Sequence, residues 1–397
     1  MVRKAAMEAA VAATRQSLAR CIAVYALLCS AYSQAGVLPE DRADALYHSY
    51  DGGGVTINGP SLLVLKKVGQ NVALNGNYYV DSISSASIDV EVISGASRYS
   101  EERTEVSAGV DYLHGNSIMS FSYTNSDEND YQADTASVGV SMDMFGNMTT
   151  LSMGYSRGWD TVGMSGSPAF SEDVDRQNYR LGLNQVISKN MIMELNYEGI
   201  TDEGFLNNPY RKFRYLDASD PVDGYSLGDE RYPHTRTSSA VALRARYYLP
   251  WHAAMSGEYR FFADTWGIDA HTVELGYTHP LQDRWILETT YRHYTQSAAD
   301  FYSDLLDAPD AQNFVGRDKE LSTFSSNSFG FKLSYDILKQ GWHGIDRASV
   351  NLSWDKIWFD YEDFRDLRVK LPAANAGTEP LYSFSADVVQ FFVSAWF

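Results

Sequence analysis

The chain has 397 residues, with 32 Lys and Arg against 51 Asp and Glu and a formal charge of −19. Mean hydropathy is negative, and no run approaches the roughly 20 apolar residues of a membrane-spanning helix, so a helical membrane protein is excluded. The acidic balance also excludes nucleic acid as a partner, because binding it needs a basic surface.

Arg3, Lys4, Arg15 and Arg20 lead into the apolar stretch Cys21–Leu28, and Ser33-Gln34-Ala35 places small residues at −3 and −1. That pattern predicts a secretory signal peptide over residues 1–35, cleaved after Ala35. A lipoprotein reading at Cys29 is poor, because Leu28 before it is not small. Both cysteines fall in this leader, so the exported chain has no disulfide framework and no thiolate chemistry. The leader carries a net +3, which leaves the rest near −22.

Residues 36–54, "GVLPEDRADALYHSYDGGG", read as a flexible approach, and the transmembrane barrel is expected over 55–397. From Val55 onward two-faced strands recur. Phe329, Phe331, Leu333, Tyr335 and Ile337 alternate with Ser328, Gly330, Lys332, Ser334 and Asp336. Val138, Val140, Met142 and Met144 alternate with Ser137, Gly139, Ser141 and Asp143. A period of two places alternate side chains on opposite faces of a strand.

The connections come in two sizes. Short ones, rich in Gly, Asn, Pro and Asp, fall at Val68–Asn71, His114–Asn116, Phe145–Asn147, Ser188–Asn190, Pro250–His252, Pro280–Arg284 and Lys339–Asp346. Long ones include Thr161–Asp173, Phe205–His234, Ser297–Phe324 and Asp360–Tyr382, with a loop helix possible at Ala298–Leu306. Short turns alternating with long loops are the habit of an outer-membrane barrel, whereas a soluble sandwich has no reason to keep it.

The last stretch, Ser383–Phe397, supports the same choice. Val389, Phe391, Val393, Ala395 and Phe397 form a wholly apolar face, and the chain stops on an aromatic ring. Phe391, Val393 and Phe397 resemble the signal by which the barrel-assembly machinery recognises outer-membrane strands. Ala395 departs from that pattern, where an aromatic is common. The competing reading is a final core strand of a soluble β-sandwich.

Taken together the pattern predicts an all-β fold: an antiparallel transmembrane barrel of about 14–16 strands with short periplasmic turns and long outer loops. The seven short turns account for fourteen strands, and Val55–Lys66 makes fifteen, where an even number is expected. Either the segment before Gly54 hides a strand, or Val55–Lys66 is a plug, or Ser87–Ile93 pairs elsewhere.

Charges gather on the face opposite the apolar one, among them Asp81, Asp111, Glu194 and Glu198. A lumen-lining ladder is expected from Arg244, Arg246, Glu258, Arg260, Glu274, Glu288, Arg292, Lys332 and Asp336. Folding the hairpin at Pro250–His252 brings Arg244 to Glu258, and folding the next at Gly267 brings Arg260 to Glu274. Tyr and Trp near the strand ends suit the two membrane interfaces.

Three segments, Ile57–Lys67, Asn77–Val90 ("NYYVDSISSASIDV") and Ser141–Asp160 ("SMDMFGNMTTLSMGYSRGWD"), resemble a bacterial family of predicted outer-membrane proteins of unknown function. The resemblance supplies no catalytic residues. It implies a link to extracytoplasmic redox chemistry, through a flavin transferase and a small lipoprotein encoded beside members of that family.

The function expected is a porin-like pore or transport component for an unknown solute in a Gram-negative outer membrane, with lipid as its surroundings and no cofactor or metal. A second reading is a docking barrel for a periplasmic or lipoprotein partner, which the resemblance links to flavin-dependent redox systems. A third is an outer-membrane hydrolase. For that one, His293 with Asp300 or Asp304 is the least poor acid–base couple. Asp127–Asp130 and Asp360–Asp366 lack the Gly-spaced loop of a calcium site.

Overall fold

The computed structural model describes residues 36–85, 99–338 and 341–397. The expected signal peptide and the segment Ser87–Ile93 lie outside the described residues.

Sixteen strands close into one antiparallel barrel. The first nine are β1 (Arg42–Gly52), β2 (Val55–Val68), β3 (Val72–Ser85), β4 (Tyr99–His114), β5 (Ser117–Glu128), β6 (Tyr131–Met144), β7 (Thr149–Gly163), β8 (Ser171–Ser188) and β9 (Met191–Gly204). The chain then leaves the wall for a two-stranded sheet, β10 (Lys212–Leu216) with β11 (Tyr225–Asp229). It returns as β12 (Thr235–Tyr248), β13 (Ala254–Asp264), β14 (Asp269–Leu281), β15 (Trp285–Gln296), β16 (Phe324–Leu338), β17 (Arg347–Arg365) and β18 (Leu381–Trp396). β12 pairs with β9, and β1 pairs with β18 to shut the seam.

The parity question resolves at the N-terminus. Residues 36–54, expected to be flexible, contain β1, and Val55–Lys66 belongs to β2 in the wall rather than to a plug. β1 shows little contrast between its faces, with Ala43, Ala45, Tyr47 and Ser49 on one and Asp44, Leu46, His48 and Tyr50 on the other. Its extended form comes from its neighbours, since all eleven residues are in register with both β2 and β18. An edge row of unpaired N–H and C=O groups is a template that even a weakly patterned segment satisfies.

The seven short turns all fall at the end where β1 begins and β18 finishes. At the other end, among the described residues, three connections are long: residues 205–234, 297–323 and 366–380. Others there are tight, such as Gly53-Gly54 between β1 and β2, so the alternation of sizes is not strict. Gly53 (φ 63°) and Gly54 (φ 84°) both take the left-handed conformation that a two-residue hairpin demands. Residues 298–306 are not helical; the described helical turns are 3₁₀ turns at Lys319–Leu321 and Ala373–Asn375.

Along each strand the faces separate as the period of two requires. On β12, Val241, Leu243 and Tyr247 are exposed on the outside while Arg244 and Arg246 point to the half-buried inside. Leu62, Phe121, Leu195, Leu275 and Phe391 repeat the outer pattern on other strands. Strands of about 14 residues at ~3.3 Å per residue and a tilt of ~40° rise ~35 Å, enough for an apolar band ~25 Å tall.

The three long loops fold on one another into a cap. Tyr215 bridges to Leu306, and Arg231 to Val315. Tyr232, Trp266, Ile268, Ala299, Phe301 and Leu321 form one small core there, and Phe213, Leu306 and Val315 another.

Candidate functional site in the barrel lumen

The inner wall has a charged half. Arg244 lies opposite Glu258, as expected, with Nε donating to Oε2 at 2.6 Å. Lys332 donates to Glu288 across β15 and β16 at 2.8 Å, and Arg292 stands opposite Glu274. Arg260 does not meet Glu274. The β13–β14 hairpin pivots one residue earlier than Gly267, which puts Arg260 opposite Thr272 and Glu258 opposite Glu274. Arg260 reaches Glu198 instead, at 3.7 Å. Arg246 shares this face opposite Ser256, and Asp336 sits at the short-turn end beside a register shift. The same face carries Arg180, absent from the expected ladder although Tyr179, Leu181 and Leu183 mark the opposite face of β8; it pairs with Glu198 at 3.3 Å. Opposite charges facing across strands contribute roughly 0.2–1 kcal/mol per pair.

The half formed by β5, β6 and β7 is built differently. Ser120 and Ser122, then Ser137, Gly139 and Ser141, then Ser152, Gly154 and Ser156 occupy matching inner positions. No side chain in that patch is larger than serine, so space is left beside the long Arg and Glu side chains across the lumen.

At the loop end the inside is filled on one flank. Phe324, Phe359, Tyr361, Phe364 and Tyr382 pack with Tyr50, Ile57 and Val388 into a buried cluster, with Phe359 stacked on Phe384 at 4.6 Å. The cap rests on this cluster through Tyr302, whose hydroxyl donates to the Asp363 carbonyl. Its loops are joined by buried ion pairs. The Arg214 guanidinium is fully buried and pairs with Asp304 of one loop and Glu379 of another. Burial opposes ionisation of Glu379, but the bonds from Arg214 outweigh it and hold the carboxyl below its ordinary range. Glu230 is the opposite case. Burial, reinforced by Asp318, pushes it up to about 7 despite Arg211, the Tyr232 hydroxyl and the Arg317 N–H.

A second polar group sits on β1 and β3. His48 Nε2 lies 2.7 Å from Asp81 Oδ1 and 3.1 Å from the Tyr79 hydroxyl, with the His48 and Tyr79 rings parallel at 5.1 Å. These residues belong to strands separated by β2, and Gly59 of β2 lies opposite His48. A Cβ on Gly59 would overlap the Val80 carbonyl oxygen, so only glycine allows this approach. The pairing was not legible in the sequence, because β1 itself was not.

The catalytic couple considered from the sequence is not assembled. His293 Nδ1 donates to Asn327 Oδ1 at 2.9 Å, and Asp304 is engaged by Arg214 and Arg317. Asp127 and Glu128 are consecutive strand residues on opposite faces, so they do not converge on one ion. Among the described residues no group of three or more His, Cys, Asp or Glu is placed to hold a metal.

The terminal residues lie where the apolar face predicts. Phe391 and Phe397 are on the outside with Val393, and Lys66 stands over the Phe397 ring at 4.7 Å.

Solved structures with a similar course are outer-membrane barrels. A bacterial polysaccharide outer membrane secretin matches at 8% identity over 91% of this chain and 100% of its own, with a TM-score of 0.47. The siderophore receptor PirA from Pseudomonas aeruginosa matches at 9% identity over 90% of this chain and 63% of its own (TM-score 0.42). OmpT, an outer membrane protein of Vibrio cholerae, matches at 11% over 90% and 97% (TM-score 0.42). At these values the likeness carries no function. No curated protein matches the sequence. Three segments pointed to an uncharacterised family, and all three precede residue 164; over residues 164–347, from the end of β7 to the start of β17, the chain matches the family described as protein of unknown function (DUF3570).

Proposed function

We propose that the chain is an outer-membrane pore or transport component that passes a hydrophilic solute through its lumen. The observation that carries this reading is the contrast between the two sides of one wall. The outside holds a largely apolar band, whereas the inside holds paired charges facing a patch of serine and glycine. A Lys or Arg at the bilayer midplane costs about 2–4 kcal/mol, so hydrocarbon suits only the outer side and water only the inner. Of the outward charges, Arg157 pairs with Asp175 and Lys356 with Asp387, whereas Asp134 is held by the Tyr123 hydroxyl and the Asn125 amide. On this reading residues 1–35 direct export, and Phe391, Val393 and Phe397 present the strand to the assembly machinery.

The test is conductance of refolded protein in a planar bilayer, with heat-modifiable gel migration as the check on folding. Discrete conductance steps are expected. A folded barrel that inserts yet stays silent overturns the pore. If that silent barrel also co-purifies with a periplasmic or lipoprotein partner, docking becomes the better reading.

A further inference from the structure

The arginines of the charged half of the lumen have carboxylate partners, with one exception among the described residues. Among the described residues, Arg246 is the inward-facing arginine of the barrel strands that makes neither an ion pair nor a hydrogen bond. Arg244, two residues along the same strand, has Glu258. Arg180 and Arg260 share Glu198. Arg292 faces Glu274 in register. The carboxylates of Glu194 and Glu258 act on Arg246 only through space.

The surroundings of Arg246 are also distinct. The inner position opposite it on β13 is Ser256, followed in register by Gly276, Thr290 and Gly330 on the next three strands. Nothing larger than threonine stands at those positions, and the row ends where the Asp355 carboxylate, opposite Gly330, lies over that glycine, so at about 4.8 Å between strands the open trough from Arg246 to Thr290 is roughly 15 Å long. Paired charges border it: Arg244 with Glu258 toward the loops, and Lys332 with Glu288 toward the short turns.

A half-buried guanidinium with five donors and no protein acceptor is complementary to an oxyanion, which it can bind in a bidentate way. We propose that Arg246 and the trough beside it form an anion subsite in the lumen, taking a small solute with a carboxylate or phosphate group. The Ser256 and Thr290 hydroxyls supply neutral hydrogen bonds along its length. This deepens the pore reading by naming the class of solute, and it opposes the acidic charge of the whole chain, so net charge alone does not predict it.

Two measurements test it on wild type, Arg246→Gln and Arg246→Lys, each first checked for heat-modifiable folding. The first is the reversal potential in a KCl gradient. Arg246→Gln is expected to lower the chloride-to-potassium permeability ratio about twofold or more, and Arg246→Lys to retain it. The second needs no conductance: phosphorus NMR line broadening of inorganic phosphate by detergent-solubilised protein, expected for wild type and Arg246→Lys and lost in Arg246→Gln. Broadening lost in Arg246→Gln without any conductance keeps the subsite and overturns the pore. Conductance with both readouts unchanged in Arg246→Gln keeps the pore and overturns the subsite. Failure of wild type to broaden phosphate, with selectivity indifferent to Arg246, also overturns it.

Discussion

The barrel wall and the cap above it solve the same problem by opposite means. In the wall, apolar side chains face outward and charges face inward, where pairs such as Arg244 with Glu258 and Lys332 with Glu288 meet in register across neighbouring strands. In the cap, apolar side chains turn inward as in a soluble domain, and charges are joined across long sequence separations. Arg214 reaches Asp304, 90 residues on, and Glu379, 165 residues on. The difference follows from solvent. Hydrocarbon rewards an apolar exterior and forbids an unpaired backbone, so the wall needs repetition and closure. Water outside the cap rewards burial of aromatic rings and allows irregular loops, provided that buried charges find partners.

If that contrast holds, substitutions in the two regions fail in different ways. The largest effect is expected in the wall. Gly59→Val places a branched side chain against the β3 backbone and should abolish the heat-modifiable folded form; a folded variant would show that the close approach of β2 and β3 is dispensable. Next comes the cap. Arg214→Met leaves Glu379 buried without its cation and Asp304 with Arg317 alone, and should cost the cap about 3–5 kcal/mol. Limited proteolysis should then cut within residues 205–234, 297–323 or 366–380 while the barrel band survives. Loss of the whole barrel would mean the two regions are one cooperative unit.

In the wall again, Leu243→Arg places a cation on the outer face and should lower stability against urea in bilayers by about 2–4 kcal/mol if that position lies near mid-membrane. Little change would place it at the interface. The smallest expected effect is in the cap and depends on pH. Glu230 holds its proton in the folded state up to about 7, above its ordinary value of 4.5. The folded state therefore binds the extra proton between these values. The cap is at full strength below pH 4.5, weakens as pH rises to 7, and is level above that. The span is at most about 3 kcal/mol. Protease resistance of the loops should follow this slope, and Glu230→Gln should flatten it.

The wall was legible in the sequence because its rule is local. Strands such as 328–337 declare both faces within ten residues, and Arg244 meets Glu258 because a short turn fixes the register. Where the turn was placed one residue off, at Gly267, the partner of Arg260 was wrong. β1 was hidden because neither face is decisively apolar, and its conformation is imposed by β2 and β18. The cap was illegible for a different reason. Its loops have no period, and nothing near Arg214 in the chain marks Asp304 or Glu379 as partners. The free state of Arg246 was equally invisible, since it depends on which carboxylates the register assigns to other cations.

The pairing of β1 with β18 carries a consequence for how the molecule is made. A polypeptide growing from its amino end exposes a raw edge on its first strand that only one of the last segments to be synthesised can cover. Until then every partial sheet has two sticky margins, and no shorter version of the cylinder is watertight. Shelter for those margins is therefore needed through most of the journey from ribosome to membrane, and removing residues 381–397 should leave an aggregate rather than a smaller tube.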